Sequence, residues 1–342
     1  MKYNLLNKDR IVFISEPVNW VIKEICFELT TQINKLTGGL AGVSYSPIFL
    51  KNKVLHFASS GALIKDGKVV NFHNSNKVVV SWYHILPDDS RIAFIPELNK
   101  ITKLVHTSCV STKKKLIEYG FDKEKIILIP EGIDLNIFIK YTTAQKVILR
   151  KKLGLLGNKF IIGSFQKDGV GWGDGRQFKL EKGPDIFCTA VAELNKKLPV
   201  HVLLTGPARG YVKENLRKAG ISYTHHYLQD YREIVNYYNV LDLYLIASRV
   251  EGGPKALLES WACGVPLVST KVGMCADIIE DGKNGFLAEV GDVGSLVASA
   301  TAVLQDAKLR DSLAASGLVC VKDYGWQIIA QKYFDLIYKK LL

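Results

Sequence analysis

Short apolar runs alternate along the chain with longer segments in which apolar residues recur every three or four positions. The runs Ile11–Ser15, Val54–Ala58 and Val78–Trp82 predict buried strands. The stretch Asn19–Leu36 predicts a helix, because its apolar residues form a stripe at helical spacing. A further helix is predicted at 112–119, ending at a glycine, and a further strand at 126–129.

The same alternation starts again after a segment at 135–156 that is typical of a linker with a short basic helix. In this second series, strands are predicted at 160–165, 201–205, 241–247 and 266–269. Helices are predicted at 184–197, 232–238, 255–263, 296–304, 309–316 and 326–342.

Strands that alternate with helices predict parallel sheets covered by helices on both faces. A chain of 342 residues is long enough for two such units. The sequence therefore predicts an α/β protein with two doubly wound domains. Because ligands of such sheets bind beyond the carboxyl ends of the strands, we expect the site in the cleft between the domains.

The net charge of +12 is unevenly distributed, with 21 Lys and Arg against 13 Asp and Glu in residues 1–150. This excess favours an anionic partner of the first half. An anionic membrane surface, a lipid diphosphate and a merely basic soluble surface all remain open. Nucleic acid is not expected as a partner, because the lysines are dispersed and no nucleic-acid motif is present.

Targeting, redox and metal signals are weak. No apolar run is long enough to span a bilayer, and no signal-peptide pattern opens the chain, so we expect a cytoplasmic protein, with a peripheral position at the inner membrane face left open. The six cysteines are scattered without a CxxC pair and predict reduced thiols. No convincing metal site is found.

The segment from Glu251 to Pro266, EGGPKALLESWACGVP, is the most informative part of the chain. It follows an apolar strand, opens with two glycines and predicts a helix with Pro254 at its first position. Free N–H groups at such a helix start can bind a phosphate, and the glycines let a ligand approach closely. Glu259 would lie roughly 8 Å along the helix, so the two glutamates could hold separate hydroxyl groups of an elongated nucleotide sugar.

A plainer interpretation of the same pair is also open. Glu251 would then cap the helix, and Glu259 would be a solvated surface carboxylate.

The stretch LDLYLIASRVEGGPKALLESWACGVPLVSTKVG, residues 241–273, closely resembles the donor-binding motif of retaining glycosyltransferase family 4, which has the GT-B fold. The family pattern of two glutamates separated by seven residues, followed by Ala-Cys-Gly-x-Pro, is matched by Glu251, Glu259 and residues 262–266. Residues 282–287 (GKNGFL) and 127–138 (ILIPEGIDLNIF) resemble the family's turn after the donor site and its interdomain connector. The likeness extends from about residue 100 onward.

The resemblance implies an N-terminal acceptor-side domain at 1–150 and a nucleotide-sugar donor domain at 151–325, both Rossmann-like. The segment that starts at Gly325-Trp326 resembles the part of the family that crosses back, so helix 326–342 should pack on the first domain. The implied activity is a retaining, hexosyltransferase-like reaction, typically in surface polysaccharide or glycolipid biosynthesis. The implied partners are a nucleotide sugar and a glycan or lipid-linked acceptor, with peripheral contact to an anionic membrane left open.

The resemblance also implies that no metal or other cofactor is needed. The leaving diphosphate would be stabilised by Lys167 after the first strand of the second domain and by Lys182 before the next helix. Lys167 is a departure, because the family usually has arginine there, and a point charge then replaces a two-pronged donor.

By the same resemblance, Gly206 lies where the nucleotide approaches a strand end, and Tyr227 and Leu228 lie along the base. Glu259 would accept hydrogen bonds from the ribose, and Glu251 would contact sugar hydroxyls as a catalytic residue. The remaining donor-binding residues are those of the helix start, namely Gly252, Gly253, Pro254 and Lys255.

His84 follows a predicted strand in the first domain and is implied to contact the transferred sugar. The alternative is an ordinary loop histidine. His106 is a weaker candidate in the same domain.

The loop at 168–183 is longer than the family commonly has. Its glycines do not follow the dinucleotide-binding pattern. It is either a flexible flap over the donor, with Trp172 and Arg176 as contacts, or a mobile surface insertion.

These observations predict a front-face transfer in which a donor phosphate oxygen takes the acceptor's proton. Two alternatives within the chemistry of activated sugars stay open, a sugar phosphorylase and a nucleotide-sugar epimerase. A non-catalytic nucleotide-sugar-binding subunit is a third.

Overall fold

The computed structural model describes residues 10–17, 21–155 and 157–342. Two compact units divide the chain: the first runs to Gly132 and includes Tyr324–Leu342, and the second is Ile133–Asp323. Each is built around its own parallel sheet, so the predicted pair of Rossmann-like α/β units is confirmed.

The first unit contains a six-stranded sheet in the order β2-β1-β3-β6-β7-β8, with every pair parallel, and a small antiparallel pair, β4-β5. The central strands are apolar and buried on both faces, which is typical of a parallel sheet covered by helices. The strands are β1 (Ile11–Ile14), β2 (Ala41–Ser44), β3 (Val54–Phe57), β4 (Ile64–Lys65), β5 (Lys68–Val69), β6 (Lys77–Ser81), β7 (Thr102–Thr107) and β8 (Ile126–Leu128).

Its first four helices are α1 (Val21–Thr37), α2 (Ser60–Leu63), α3 (Ile95–Ile101) and α4 (Val110–Glu118). In α1 the expected stripe buries Ile25, Leu29 and Ile33, whereas Val21 is 39% exposed at the helix start. The predicted first residues of this helix, Asn19 and Trp20, lie outside the described residues.

The second unit contains a six-stranded, all-parallel sheet in the order β11-β10-β9-β12-β13-β14. Because the order reverses beside β9, the carboxyl ends of β9 and β12 flank the point where ligands of doubly wound sheets bind. The strands are β9 (Phe160–Ser164), β10 (Val200–Thr205), β11 (Tyr223–His226), β12 (Leu243–Ile246), β13 (Leu267–Thr270) and β14 (Phe286–Ala288).

The helices of the second unit cover both faces of its sheet. They are α5 (Thr143–Lys152), α6 (Pro184–Asn195), α7 (Gly210–Lys218), α8 (Ile234–Asn239), α9 (Lys255–Ala262), α10 (Gly273–Ile278), α11 (Val293–Gln305) and α12 (Ala307–Cys320). The core between α6, α11 and the sheet includes Phe187, Val191 and Leu204.

The division between the units falls at Gly132, earlier than the boundary expected at residue 150. The segment that was expected to be a linker is instead bound to the second unit. The backbone N–H of Tyr141 donates to Asn239 Oδ1 at 2.7 Å, and Arg150 forms an ion pair of 2.9 Å with Asp242. Side-chain contacts with α8 and β12 therefore decide where the unit begins, and a local composition pattern does not reveal them.

The C-terminal segment packs on the first unit. Helix α13 (Trp326–Tyr333) continues into a π-helical turn at Phe334–Tyr338, so the α-helix ends well before the expected Leu342. Trp326 lies against Gly132, where a Cβ atom would come within 2.3 Å of the indole. In the part of the chain that the model describes, no helix is long and apolar enough to cross a membrane.

Candidate active site

Lys182 and Glu251 form an ion pair beyond the carboxyl ends of β9 and β12. The Lys182 ammonium donates to both carboxylate oxygens of Glu251, at 2.8 and 2.9 Å, and the Ser248 hydroxyl donates to Oε1 at 2.8 Å. The two charged side chains are 28% and 10% exposed. The structure thus brings two predicted site residues together, with the cation still accessible from solvent.

The backbone around Lys182 is fixed by the residues that directly follow β12. Gly183 has φ +58, and a Cβ atom there would lie 1.9 Å from the carbonyl oxygen of Ala247, so only glycine fits this turn. The carbonyl of Glu181 accepts hydrogen bonds from the N–H groups of Arg249 and Val250 at 2.8 and 3.1 Å. The backbone position of Lys182 is therefore fixed relative to the loop after β12.

A second ion pair joins the same two segments. Arg249 donates to both carboxylate oxygens of Asp185, at 2.7 and 2.6 Å. The hydrogen bonds from Arg249 lower the pKa of Asp185. This pair links the first turn of α6 to the loop that leads to Glu251.

The glycine loop and the start of α9 follow Glu251 directly. Gly252 is buried, and its carbonyl accepts from the N–H of Met274 at 2.7 Å. Pro254 is the N-cap residue and Lys255 the first residue of the helix, so the expectation that Pro254 occupies the first helical position was wrong by one residue. The backbone of Pro254 is extended, with ψ 111°, so this residue precedes the helix. In the first turn of α9 the N–H of Leu257 donates to the Pro254 carbonyl at 3.0 Å, and the helix start carries the positive end of the helix dipole.

Glu259 is a buried residue, only 2% exposed. The Tyr238 hydroxyl donates to Oε2 at 2.8 Å, and the Tyr231 hydroxyl donates to Oε1. The plainer interpretation of Glu259 as a solvated surface carboxylate is therefore wrong. Sequence reasoning missed both tyrosines, although Tyr238 lies in the expected helix at 232–238.

A cavity of about 360 Å³ lies beyond the carboxyl end of β10. Gly206 and Tyr227, two of the residues predicted to contact the nucleotide, both line it, whereas the half-buried Leu228 is not among the lining residues. The wall also includes Lys213 and His225, whose Nε2 donates to the Gly206 carbonyl at 2.8 Å. The cavity thus lies at the end of β10 beside β11, and Lys182 and Glu251 are not among its lining residues.

The insertion after β9 forms a docked hairpin over residues 168–179, called the 168–179 hairpin below. Its two strands are joined by hydrogen bonds from Val170 to Gln177 and from Lys179 to Asp168, each 2.8 Å. At its base the buried Asp168 carboxylate lies 3.0 Å from Arg209. Burial raises the pKa of Asp168, and the Arg209 charge opposes that shift.

The hairpin also caps helix α7. The carbonyls of Asp174 and Gly175 accept from the first N–H groups of that helix, on Gly210 and Tyr211, at 2.6 and 3.1 Å. At Gly169 and at Gly175 a Cβ atom would come within 2.3 Å of the Ala208 carbonyl. These contacts describe a fixed element, unlike either the flexible flap or the mobile insertion expected from the sequence.

Lys167 lies where the hairpin leaves β9. Its ammonium lies 3.7 Å from the centroid of the Trp172 ring, and Trp172 lines the cavity together with Gly173 and Asp174. Burial, and secondarily the charge of Lys179, lower the pKa of Lys167. Arg176 points elsewhere: it pairs with Asp174 at 3.0 Å and is mostly exposed.

Comparison with known proteins finds a similarity to one family over part of the chain. The family model described as glycosyl transferases group 1 matches residues 176–318. Residues 176–318 are thus similar in sequence to the group 1 glycosyltransferases.

Curated relatives support this assignment. The chain is 26% identical to a D-inositol 3-phosphate glycosyltransferase of Arthrobacter sp. (strain FB24), over 66% of this chain and 53% of the relative. It is 29% identical to the lipopolysaccharide core biosynthesis mannosyltransferase LpsB of Rhizobium meliloti (strain 1021), over 56% of this chain and 54% of the relative. In both cases the similarity spans about half the length of the relative.

The fold has close counterparts among solved structures. The crystal structure of Anabaena Alr3699/HepE in complex with UDP-glucose superposes with a TM-score of 0.77 at 18% identity, covering 96% of this chain and 99% of that one. At this identity the likeness concerns the fold, and the predicted GT-B fold class is confirmed.

The range that matches the family model contains most of the predicted donor residues, including Lys182, Gly206, Glu251 and Glu259. Lys167 and Trp172 precede the matched range, and so does the docked base of the hairpin at Asp168. This part of the site is described by the structure alone.

The two candidate histidines lie in the first unit. His84 follows β6 after three residues and is partly exposed, as expected for a strand-end position. His106 is fully buried, and its ring nitrogens lie 2.9 Å from the Ser81 hydroxyl and from the Ile129 carbonyl. His106 is therefore a core residue of that unit.

Proposed function

We propose that this protein is a retaining glycosyltransferase that moves a sugar from a nucleotide-diphosphate sugar to an acceptor hydroxyl. The observation that carries the proposal is the Lys182–Glu251 pair beside the glycine loop of α9. It combines an accessible cation, a largely buried carboxylate and helix N–H groups within residues 176–318.

Each part has a role in the proposed reaction. Lys182, Lys167 and the N–H groups at the start of α9 stabilise the negative charge that develops on the departing diphosphate. Glu251 accepts hydrogen bonds from sugar hydroxyls and keeps the Lys182 ammonium in place. A donor phosphate oxygen accepts the proton of the acceptor, so no metal ion and no covalent sugar–enzyme intermediate is required by the proposal.

The proposed nucleoside site uses the cavity and the start of α9. The base lies against Tyr227 and the Gly206 turn, and Glu259 receives the ribose hydroxyls. An ionised carboxylate can accept about four hydrogen bonds, so its tyrosine contacts do not by themselves exclude a ligand. A role of His84 toward the transferred sugar is also part of the proposal.

The acceptor is proposed to belong to a surface polysaccharide or a glycolipid, in line with the names of several relatives. We also propose that the protein contacts an anionic membrane from the cytoplasmic side. The first unit exposes Phe49 by 86% and Ile48 by 59%, next to the exposed Lys51. Adjacent apolar and basic side chains favour an anionic interface.

The test is product analysis after incubation with a panel of nucleotide sugars and lipid or glycan acceptors. We expect release of the nucleoside diphosphate together with a new glycoside whose anomeric configuration, read by NMR, equals that of the donor. Inversion would contradict the retaining mechanism. Phosphate-dependent sugar-1-phosphate formation would indicate a phosphorylase, and acceptor-free conversion of the donor an epimerase.

A further inference from the structure

The tip of the 168–179 hairpin presents an exposed tryptophan at the cavity. Trp172 is 61% exposed, although tryptophan is usually well buried. The Asp168–Arg209 pair fixes the base of the hairpin, and the cap on α7 fixes its turn at Asp174 and Gly175. The indole is thus held out on a rigid support, and packing of the unit does not explain its position.

The contact that Trp172 does make is with a cation. The Lys167 ammonium lies 3.7 Å from the ring centroid, well within the distance at which a ring face attracts a positive charge. Lys167 is the third residue after β9, a central strand of the sheet. Its side chain carries a point charge on a flexible stem. A ring face that already holds the ammonium restricts the side chain before a ligand arrives. Binding of an anion then costs less conformational entropy.

The surroundings of Lys167 add a reason for such a support. Burial and the nearby Lys179 lower the pKa of Lys167. The electron-rich face of an indole favours the charged ammonium and opposes that effect. The same contact therefore helps to keep the side chain both placed and protonated beside the cavity.

We propose that Trp172 is a positioning residue that holds Lys167 for the diphosphate of the donor. The inference rests on the proposed function, since it takes the nucleotide sugar as the ligand of this site. In this role the hairpin contributes to ligand binding indirectly, by positioning the Lys167 ammonium. Direct stacking of Trp172 on the nucleobase is the competing role, and it predicts a different result.

The experiment is isothermal titration calorimetry of the full chain with UDP, GDP and ADP, followed by titration with the nucleoside of the diphosphate that binds best. The variants are W172F, W172L, K167A and the double variant K167A/W172L. We expect W172L to weaken diphosphate binding about two- to fivefold and W172F to weaken it less, because Phe keeps a ring face. Nucleoside affinity should not change, and W172L should have no further effect when Lys167 is absent.

The control is V170A, which shortens an exposed hairpin residue outside the cavity lining and should bind like the wild type. Wild-type binding with an unchanged affinity in W172L would overturn the inference and leave the proposed function intact. An equal loss for the nucleoside in W172L would assign the residue to stacking and also overturn it. Failure of the wild type to bind any of the three diphosphates would instead overturn the proposed function.

Discussion

The Lys182 ammonium lies 2.8 Å from Oε1 of Glu251, although the two residues are 69 positions apart in the chain. The pair joins the start of α6 to the loop before α9, and Ser248 donates to the same carboxylate oxygen. A carboxylate that is only 10% exposed requires such compensation, since an unpaired buried charge is costly. The cation meanwhile keeps one further N–H donor for a ligand.

Removal of the cation should slow the reaction far more than it weakens the fold. We expect K182A to lower kcat by about 100- to 1,000-fold, as for the loss of a donor that stabilises developing negative charge. K182R should retain part of the activity. Initial-rate kinetics with the donor at saturation measure the effect.

The matched control is K196A. It removes an exposed lysine at the C-terminal end of α6 that forms an ion pair with Glu193 of the same helix. It should leave kcat unchanged. A K182A variant with wild-type turnover would show that Lys182 does not act on the leaving group.

The turn before α6 should tolerate no side chain. G183A places a Cβ atom 1.9 Å from the Ala247 carbonyl in a left-handed backbone, so we expect a loss of about 3 kcal/mol or more in the free energy of unfolding. G220A is the control, because Gly220 has a similar φ of +66 with open space around it. The control should cost about 1–2 kcal/mol, from the backbone alone. Equal losses in urea denaturation would contradict the close approach of the two segments.

Glu259 should distinguish ribose from deoxyribose if it receives the ribose hydroxyls. We expect E259Q to reduce the preference of the protein for a nucleoside diphosphate over its 2′-deoxy form, because a charged acceptor is replaced by a neutral amide. Competition binding with the two nucleotides measures this preference. Y238F is the control: it removes one donor from the carboxylate and should lower stability by about 1 kcal/mol while the preference persists. An unchanged preference in E259Q would assign the residue to packing alone.

Acid should weaken the first unit through two buried histidines. Burial lowers the pKa of His106 to about 4, and it also lowers the pKa of His56. Both stay neutral in the folded unit, whereas the unfolded chain binds protons below about pH 6.5. The contribution of these two histidines to stability should therefore be constant above pH 6.5 and should fall below it, by up to about 1.4 kcal/mol per pH unit for each histidine, and for His106 down to about pH 4.

The structural basis is a buried network that includes the C-terminal segment. The ring nitrogens of His56 lie close to the Ser81 and Tyr338 hydroxyls, and the Tyr333 hydroxyl lies 2.9 Å from a ring nitrogen of His106. H106Q should lower stability at pH 7.5 and make the decline toward pH 4 shallower, as urea denaturation over this range can measure. A slope identical to that of the wild type would show that His106 does not titrate on unfolding.

The membrane proposal predicts binding to anionic vesicles. F49S should reduce co-sedimentation with vesicles that contain phosphatidylglycerol, because it removes the most exposed large apolar side chain among the described residues of the first unit. V319S, a change at an exposed valine of the second unit, is the control. If the two variants bind equally to the wild-type extent, the Ile48–Phe49 loop is not the contact.

Local signals in the sequence predicted the elements of the site better than its contacts. Gly252 and Gly253 mark the loop, and Pro254 and Gly264 mark the two ends of α9 to within two residues. This loop and helix could therefore be recognised from the sequence. The strands β2, β11 and β14 were missed, because AGVS, YTHH and FLA are short and carry no clear alternation. Edge strands depend on pairing with a neighbour more than on their own composition.

Long-range contacts could not be predicted from one sequence. The partner of Lys182, the tyrosines on Glu259 and the docking of the 168–179 hairpin all depend on tertiary structure. The hairpin contains four glycines, and the sequence led us to expect either a flexible flap or a mobile insertion there. Two of them, Gly169 and Gly175, are required by close packing against Ala208, so here glycine serves rigidity.

A crystal structure of the full chain with the nucleotide sugar that most raises its melting temperature tests the central claim most directly. We predict that the diphosphate lies within hydrogen-bond distance of the Lys182 ammonium and of the N–H groups at the start of α9, with sugar hydroxyls on Glu251. A nucleotide bound elsewhere, with Lys182 and Glu251 still paired only to each other, would contradict the account.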